Sequence, residues 1–249
     1  MRSSRTSITS DSQRKQKLTQ NLKEIDEALL EMGCAPGAEL SSLQAHLGSS
    51  SAGVKVVVGN SSMLAKRPEL LGRITSMINQ AYGYVRVDED DIMDRLAMGD
   101  PGSSRANRVL HLAFLDDQLV GCMSSTFKVP WAERGCGHWG LLVVDVKMQG
   151  RGIASAMIAA AESRLAGACQ EIQIEYEYTA GDSFSERLLT WYEKKCGFRC
   201  VSGAPRGVGC EWRKCRKMIA DEAQQHGQQL RLLDIRSHLS AELAALESL

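Results

Sequence analysis

The stretch KMQGRGIASAM (147–157) sets glycines 150 and 152 around Arg151, between the apolar run LLVVDV (141–146) and the small-residue pattern AMIAAAESRL (156–165). A glycine-rich turn between a strand and a helix exposes backbone N–H groups, and the helix dipole adds to them, so its chemistry is phosphate binding. Glycine suits the turn because a Cβ would block close approach of a ligand to the backbone. A nucleotide P-loop is excluded, since no Lys-Ser/Thr pair follows the glycines. The dinucleotide fingerprint also fails: Ser155 stands where its third glycine belongs, although Glu171 lies near the distance of a ribose-binding acid. A second grouping is Cys196, Cys200, Cys210 and Cys215, whose spacing is permissive for zinc. Their flanks read as a helix end and two strands, where cysteine is a common small buried residue, so no metal is expected.

The elements that position these residues follow from periodicity. VKVVV (54–58) reads as a strand and LLGRITSMINQAY as an amphipathic helix; a short helix opens on Asp88, Glu89, Asp90 and Asp91. Acids at a helix start favour capping, with a substrate-lining role as the alternative. VLHLAFL (109–115) and LVGCMSSTF (119–127), joined by Asp116, Asp117 and Gln118, form a hairpin. The strand HWGLLVVDV (138–146) precedes the glycine turn, and a helix from about Gly152 to Ala166 follows. Then come the strand EIQIEYEYT (171–179), the helix SERLLTWYEKK, the turn Cys196-Gly197-Phe198 and two short strands. The expected fold class is α+β: a mostly antiparallel central sheet with one parallel pair, flanked by helices.

With that order in place, the chain resembles the GNAT superfamily of acetyl-CoA-dependent N-acyltransferases. Gln149-Gly150-Arg151-Gly152-Ile153-Ala154 is similar to its Q/R-x-x-G-x-G/A pyrophosphate loop. Leu142-Val143-Val144 precedes it at the family's distance, and Tyr192 with Gly197-Phe198 resembles its Y-x-x-x-GF helix end. The resemblance implies the GNAT fold, with acetyl-CoA in a V-shaped gap where the strand holding 142–144 splays from that holding 172–178. Backbone groups of Leu142 and Val144 would pair with the pantetheine, the N–H near Val143 would serve the oxyanion, and N–H groups from Gln149 to Ser155 would hold the pyrophosphate. Arg151 is either a further cation there or a solvated loop charge.

Acyl transfer to an amine needs the ammonium deprotonated, the oxyanion stabilised and the departing thiolate protonated. His138 stands where the resemblance implies a base, and imidazole titrates near neutrality; its alternative is a strand-end residue beside Trp139. Glu175 and Glu177 are alternative bases or contacts for a cationic amine, at least one being simply the polar face of its strand. Tyr192 is the candidate acid, but it stands five residues before Gly197 where the family has four. An extra residue absorbed at the helix end, or a phenol rotated by about 100°, would follow. Ser185 occupies the place of a cofactor-contacting Asn, its simpler reading being the helix N-cap.

The expected activity is transfer of acetyl from acetyl-CoA to a primary amine by direct attack in a ternary complex. The alternatives are a non-catalytic acyl-CoA sensor, motivated by the shifted Tyr192, and hydrolysis or decarboxylation of an acyl-CoA. Acids at 88–91, 175, 177 and 182 suggest a cationic acceptor, a small amine or a protein lysine or amino terminus. Thirty basic and thirty acidic residues cancel, so no long-range field draws nucleic acid or a membrane, and no apolar run reaches a transmembrane length. Eight cysteines without a secretory pattern indicate reduced thiols and a cytoplasmic location, with the Arg- and Ser-rich start MRSSRTSITS as a weak organelle-targeting alternative.

Three zones are expected: residues 1–52, a polar tail and an amphipathic helix (Leu18, Leu22, Ile25, Leu29, Met32); 53–219, the acetyltransferase domain; and 220–249, a helical extension. The linker HLGSSSAGVK marks the first boundary. In the extension Leu232, Leu239 and Leu246 recur every seven residues beside Ile235 and Leu243, a stripe that needs a partner. The expected partner lies within the chain, on the first helix or the core, with a homodimer as the alternative.

Overall fold

A computed structural model of the protein describes residues 5–34, 53–100 and 106–248. The linker HLGSSSAGVK as far as residue 52 lies outside the described residues, as do residues 1–4. Helix α1 (Arg5–Glu31) already begins within the segment read as a polar tail. Strand β1 (Lys55–Val58) leads to a short helix the periodicity does not reveal, α2 (Ser61–Lys66), capped by the Asn60 side chain. Helix α3 (Glu69–Tyr82) ends at Gly83, whose φ of 73° is the left-handed stop glycine supplies. Helix α4 (Glu89–Ala97) starts with a reciprocal capping box between Asp88 and Asp91, so that part of the acidic run is committed to the helix end.

Strands β2 (Arg108–Leu115) and β3 (Gln118–Thr126) are joined by Asp116 and Asp117 at φ 48° and 60°. Both values are positive, as the tight primed hairpin turn requires. Strand β4 (Cys136–Val144), helix α5 (Ile153–Ala166) and strand β5 (Glu171–Thr179) make the crossover. Helix α6 (Ser183–Leu189) runs into a π-helical turn (Thr190–Lys195), followed by β6 (Arg199–Gly207), β7 (Cys210–Met218) and helix α7 (Asp221–Glu247). The seven strands lie in the order β1-β2-β3-β4-β5-β7-β6. Among the described residues only β4 and β5 pair in parallel, and only at Cys136↔Glu171 and Gly137↔Ile172. Beyond that point the two strands splay apart.

Beyond the last paired residue, β4 changes register against β3. Ser124 opposes Gly140 and Cys122 opposes Val143, so Met123 alone faces Leu141 and Leu142, a bulge. Leu141 takes φ 50°, a conformation that costs a non-glycine residue about 1–3 kcal/mol and is held by burial of its side chain. The extra residue turns the strand over. Trp139 packs with Met157, Leu165 and Phe198 on the α5 side, whereas Leu141 and Val143 pack with Ile74, Ile78 and Ile92 on the α3–α4 side. A regular strand would have put all three on one face. Both clusters bury full-size side chains, each worth about 1.5–3 kcal/mol.

The terminal helices form a layer of their own. Leu29 and Cys34 pack with Leu233, flanked by Ile25 and Leu232. Arg14 bonds Glu242 at 2.6 Å, and Arg236 lies 2.6 Å from Asp26. Helix α7 also crosses α5 at a glycine contact: a Cβ on Gly227 would meet the Ser163 carbonyl oxygen at 2.2 Å and the Gly167 nitrogen at 2.7 Å. Of the leucine stripe of the extension, Leu232 joins the cluster of Leu29 and Leu233 and Leu246 is buried, while Ile235, Leu239 and Leu243 are half-buried.

Candidate active site

The glycine turn is built as an open N-terminus. Gly150 and Gly152 both take φ 78°, and nothing lies within 4 Å of a Cβ placed on either. Gly152 is the N-cap of α5 and has no side chain to satisfy its first N–H groups. Those donors therefore face outward with the positive end of the helix dipole. Ile153 anchors the helix start in the core at 1% exposure, while Arg151 and Ser155 are exposed and Ala154 half-buried. The turn is braced from behind: Asp145 accepts from the Lys147 N–H at 3.0 Å and pairs with Arg73, and Gln149 Nε2 donates to the Val144 carbonyl at 3.4 Å. Leu142 and Val144, half-buried, occupy the part of β4 that has left β5.

His138 follows directly on the two paired residues. Its Nδ1 donates to the Gln173 carbonyl at 2.9 Å. Because a carbonyl only accepts, this bond puts the proton on Nδ1 and leaves the Nε2 lone pair available. Nε2 has no partner among the described residues, and a Cβ on residue 140 would come within 3.0 Å of it, so Gly140 keeps that edge of the ring clear. Trp131 meets the imidazole edge-on at 4.7 Å. Burial lowers the His138 pKa from the ordinary imidazole value, partly offset by the Gln173 bond. The ring is thus neutral at physiological pH.

The two glutamates of β5 separate. Glu175 accepts from Trp212 Nε1 at 2.9 Å and Gln173 Nε2 at 3.2 Å and lies 3.9 Å from Lys214 Nζ. Glu177 is exposed and accepts from the Cys210 thiol at 3.0 Å. Glu175 braces the Gln173 strand segment that holds His138, and Glu177 lies on the solvated part of the strand.

Tyr192 lies in the π-helical turn, and this turn absorbs the extra residue before Gly197. Its ring packs against Tyr176 at 5.2 Å, Trp139 at 5.8 Å and Phe198 at 6.4 Å. The turn is moored by Glu193, which accepts from Tyr176 Oη at 2.6 Å and from Arg213 Nε at 2.9 Å. Burial raises the Tyr192 pKa, and the nearby Tyr82 adds to the effect. Ser185 is buried in the first turn of α6, but the N-cap there is Asp182, which accepts from the Ser185 N–H at 2.8 Å. The sequence-based N-cap assignment to Ser185 is corrected accordingly: the N-cap lies three residues earlier, at Asp182.

Three residues that spacing does not single out also lie here. Tyr82, the last residue of α3, has its phenol raised by burial, offset by Arg86 and by the peptide group of the bulged Leu141. Arg108 and Arg95 lie on the His138 face of the sheet. Among the described residues no group of three or more potential metal ligands converges. Cys200 and Cys215 are cross-strand partners on β6 and β7, while Cys196 and Cys210 lie in the preceding turn and at the far hairpin.

A mostly antiparallel sheet opened by one splayed parallel pair, with an uncapped glycine-led helix start beside the opening, defines the fold of acetyltransferases. The chain belongs to the acetyltransferase (GNAT) family, whose profile matches residues 73–198. No curated protein matches it. Among solved structures it is similar to a protein assigned to the GNAT acetyltransferases from Desulfovibrio desulfuricans, with 16% identity and a TM-score of 0.51 over 67% of this chain and 99% of that one. A GNAT-family acetyltransferase from Streptococcus pneumoniae gives 15% identity and a TM-score of 0.50, again over 67% and 99%. A Streptococcus mutans UA159 protein gives 14% and 0.51 over the same shares. These likenesses concern the fold.

Proposed function

We propose that the protein transfers acetyl from acetyl-CoA to a primary amine by direct attack within a ternary complex. The observation that carries this reading is the β4–β5 opening itself: strand pairing stops after Gly137, and His138, the bulge and the Gly152 helix start follow in that order along the chain. The N–H groups from Gln149 to Ser155 receive the pyrophosphate, with Arg151 beside it, and the backbone of Leu142 and Val144 pairs with the pantetheine amides. The N–H near Val143 faces the thioester oxygen.

His138 Nε2 takes the proton of the acceptor ammonium, directly or through water. The free amine attacks the thioester carbon, the oxygen becomes an oxyanion held by the bulge backbone, and as the oxyanion collapses the carbon–sulfur bond breaks and the surplus proton on nitrogen passes to the departing sulfur, leaving the amide and the CoA thiol. Tyr192 donates a hydrogen bond to the departing thiolate. The offset of Tyr192 that motivated a non-catalytic reading is taken up by the π-helical turn.

The test is CoA release measured across small amines, amino acids and peptides, with His138→Ala and Tyr192→Phe beside the wild type. Loss of a donor to a charged sulfur predicts a kcat for Tyr192→Phe lower by about tenfold to a hundredfold, with the KM for acetyl-CoA unchanged. Wild-type rates in both variants would overturn the acid/base assignment.

A further inference from the structure

On the face of the sheet that carries His138, Glu175 on β5 stands on one side of the imidazole and Arg108 on β2 on the other. Arg108 on β2 is the register partner of Thr126 on β3, and Thr126 that of His138 on β4, so the three side chains stand in one row on one face. Arg108 Nε donates to Thr126 Oγ1 at 3.1 Å, and no carboxylate pairs with its guanidinium among the described residues. Over the same face, α4 packs Ile92 and Leu96 against Leu110 and Leu112 and thereby brings Arg95 down onto the sheet. The Arg95 side chain is only 14% exposed, and its Nε is buried without a hydrogen-bond partner among the described residues.

Two acids lie near Arg95, Asp91 and Asp88: the Asp91 carboxylate, at 3.6 Å, is half-exposed and shared with the α4 capping box, and the Asp91 carbonyl accepts from Arg95 Nη1 at 2.9 Å. Burial first, and then the charges of Arg108 and Arg86, hold Arg95 below the usual guanidinium range, with Asp91 offsetting in part. Arg86 is fixed in the turn before α4, where its N–H donates to Asn79 Oδ1 at 2.7 Å. Of the acids that would suit a purely cationic acceptor, Asp88 and Asp91 cap α4, Asp182 caps α6 and Glu175 is held by Trp212 and Lys214, while Glu89, Asp90 and Glu177 are exposed to solvent.

A half-buried cluster of arginines with an unbonded inward N–H is an arrangement completed by an anion, and guanidinium groups match a carboxylate with two parallel bonds. We propose that the acceptor is a small amine that also carries a carboxylate, such as an amino acid: Arg108 and Arg95 hold the carboxylate while the amine lies at His138 Nε2. Two strand spacings separate the Arg108 and His138 backbones by about 10 Å, and the Arg108 head group is drawn toward Thr126. The room between guanidinium and imidazole thus fits a carboxylate a few bonds from its amine. This inference rests on the acyl-transfer reading above.

The test compares CoA release from the full chain with matched acceptors, amino acids against their decarboxylated amines, for wild type, Arg108→Gln, Arg95→Gln and Arg108→Lys. The wild type should prefer the carboxylate-bearing member of each pair. Each Gln variant should raise the acceptor KM by about tenfold to a hundredfold, leave the acetyl-CoA KM unchanged and erase the preference. Arg108→Lys, which keeps the charge without the fork, should recover part of the loss. Equal or better use of decarboxylated amines by the wild type, or an intact preference in both Gln variants, would overturn the inference while leaving acyl transfer standing. CoA release with no amine at all would instead count against acyl transfer. Calorimetric titration of the same amino acids into the CoA-saturated protein then decides the subsite, since binding equal in wild type and Arg108→Gln overturns it.

Discussion

His138, the proposed base, shows how little of a site residue lies in its identity. A histidine at the start of the central strand is legible in the sequence, but its tautomer is set by the Gln173 carbonyl 2.9 Å away, on a strand reached only after the crossover. The same holds for Arg95 and Arg108: no local spacing links them, and a helix and two sheet registers bring them to the His138 face. The direction of the His138 shift gives a prediction. A base works when deprotonated, and burial lowers its pKa, so the neutral form persists to a pH below the ordinary imidazole value of 6.5. The acid limb of kcat/KM should therefore lie below pH 6.5, and His138→Gln should remove that limb while lowering the rate by about a hundredfold or more. A limb at or above pH 6.5 in the wild type would argue that another group is titrating. Tyr192 is shifted upward, which keeps the phenol protonated throughout the working range but makes full proton release to a thiolate of pKa about 8.5 unfavourable. The part proposed for it is accordingly a hydrogen bond to sulfur.

At the scale of elements, what the sequence reveals is what is local. The glycine turn, the hairpin and β5 are legible because their signals lie within a few residues of where they act; β5 is found at 171–179 as expected. The bulge at Leu141 is not, since it arises from the register of β3 against β4, and LLVV reads as an uninterrupted strand. The π-helical turn was visible only as an anomaly, a tyrosine one residue too early. The loop gives the sharpest test at this scale. Gly152→Asp would meet no steric obstacle, and aspartate tolerates the left-handed region at modest cost, about 1 kcal/mol. Its carboxylate would nevertheless stand at the helix start where the pyrophosphate charges belong. Acetyl-CoA affinity should fall by about a hundredfold or more while the thermal midpoint moves by only a few degrees. Gly152→Asn, with equal bulk and no charge, should retain most of the affinity; equal losses in both variants would show that backbone strain, not charge, is responsible.

For the molecule as a whole, the heptad stripe of the extension announced a partner but not which surface supplies it. The answer involves a residue with no side chain. Leu233, outside the heptad positions, is the most deeply buried leucine of α7, and Gly227 lets the helix touch the backbone of α5. Arg231 secures the crossing by donating to the Gly167 carbonyl at 2.8 Å. Opposing forces make Gly227→Ala informative. Helix propensity alone favours alanine by about 1 kcal/mol. The added Cβ, however, would lie 2.2 Å from the Ser163 carbonyl oxygen and 2.8 Å from the Ala166 Cβ, and overpacking of this kind costs about 1–3 kcal/mol. Because the nearest obstacle is backbone rather than a flexible side chain, the steric cost should win, and urea unfolding should show net destabilisation. The phosphate-binding turn lies at the opposite end of the 14-residue α5, about 21 Å away, so acetyl-CoA affinity should be unchanged. A stabilised Gly227→Ala variant would show that α7 does not press on α5 in solution, whereas a destabilised variant that also loses acetyl-CoA binding would show that the crossing helps to hold the α5 N-terminus in place.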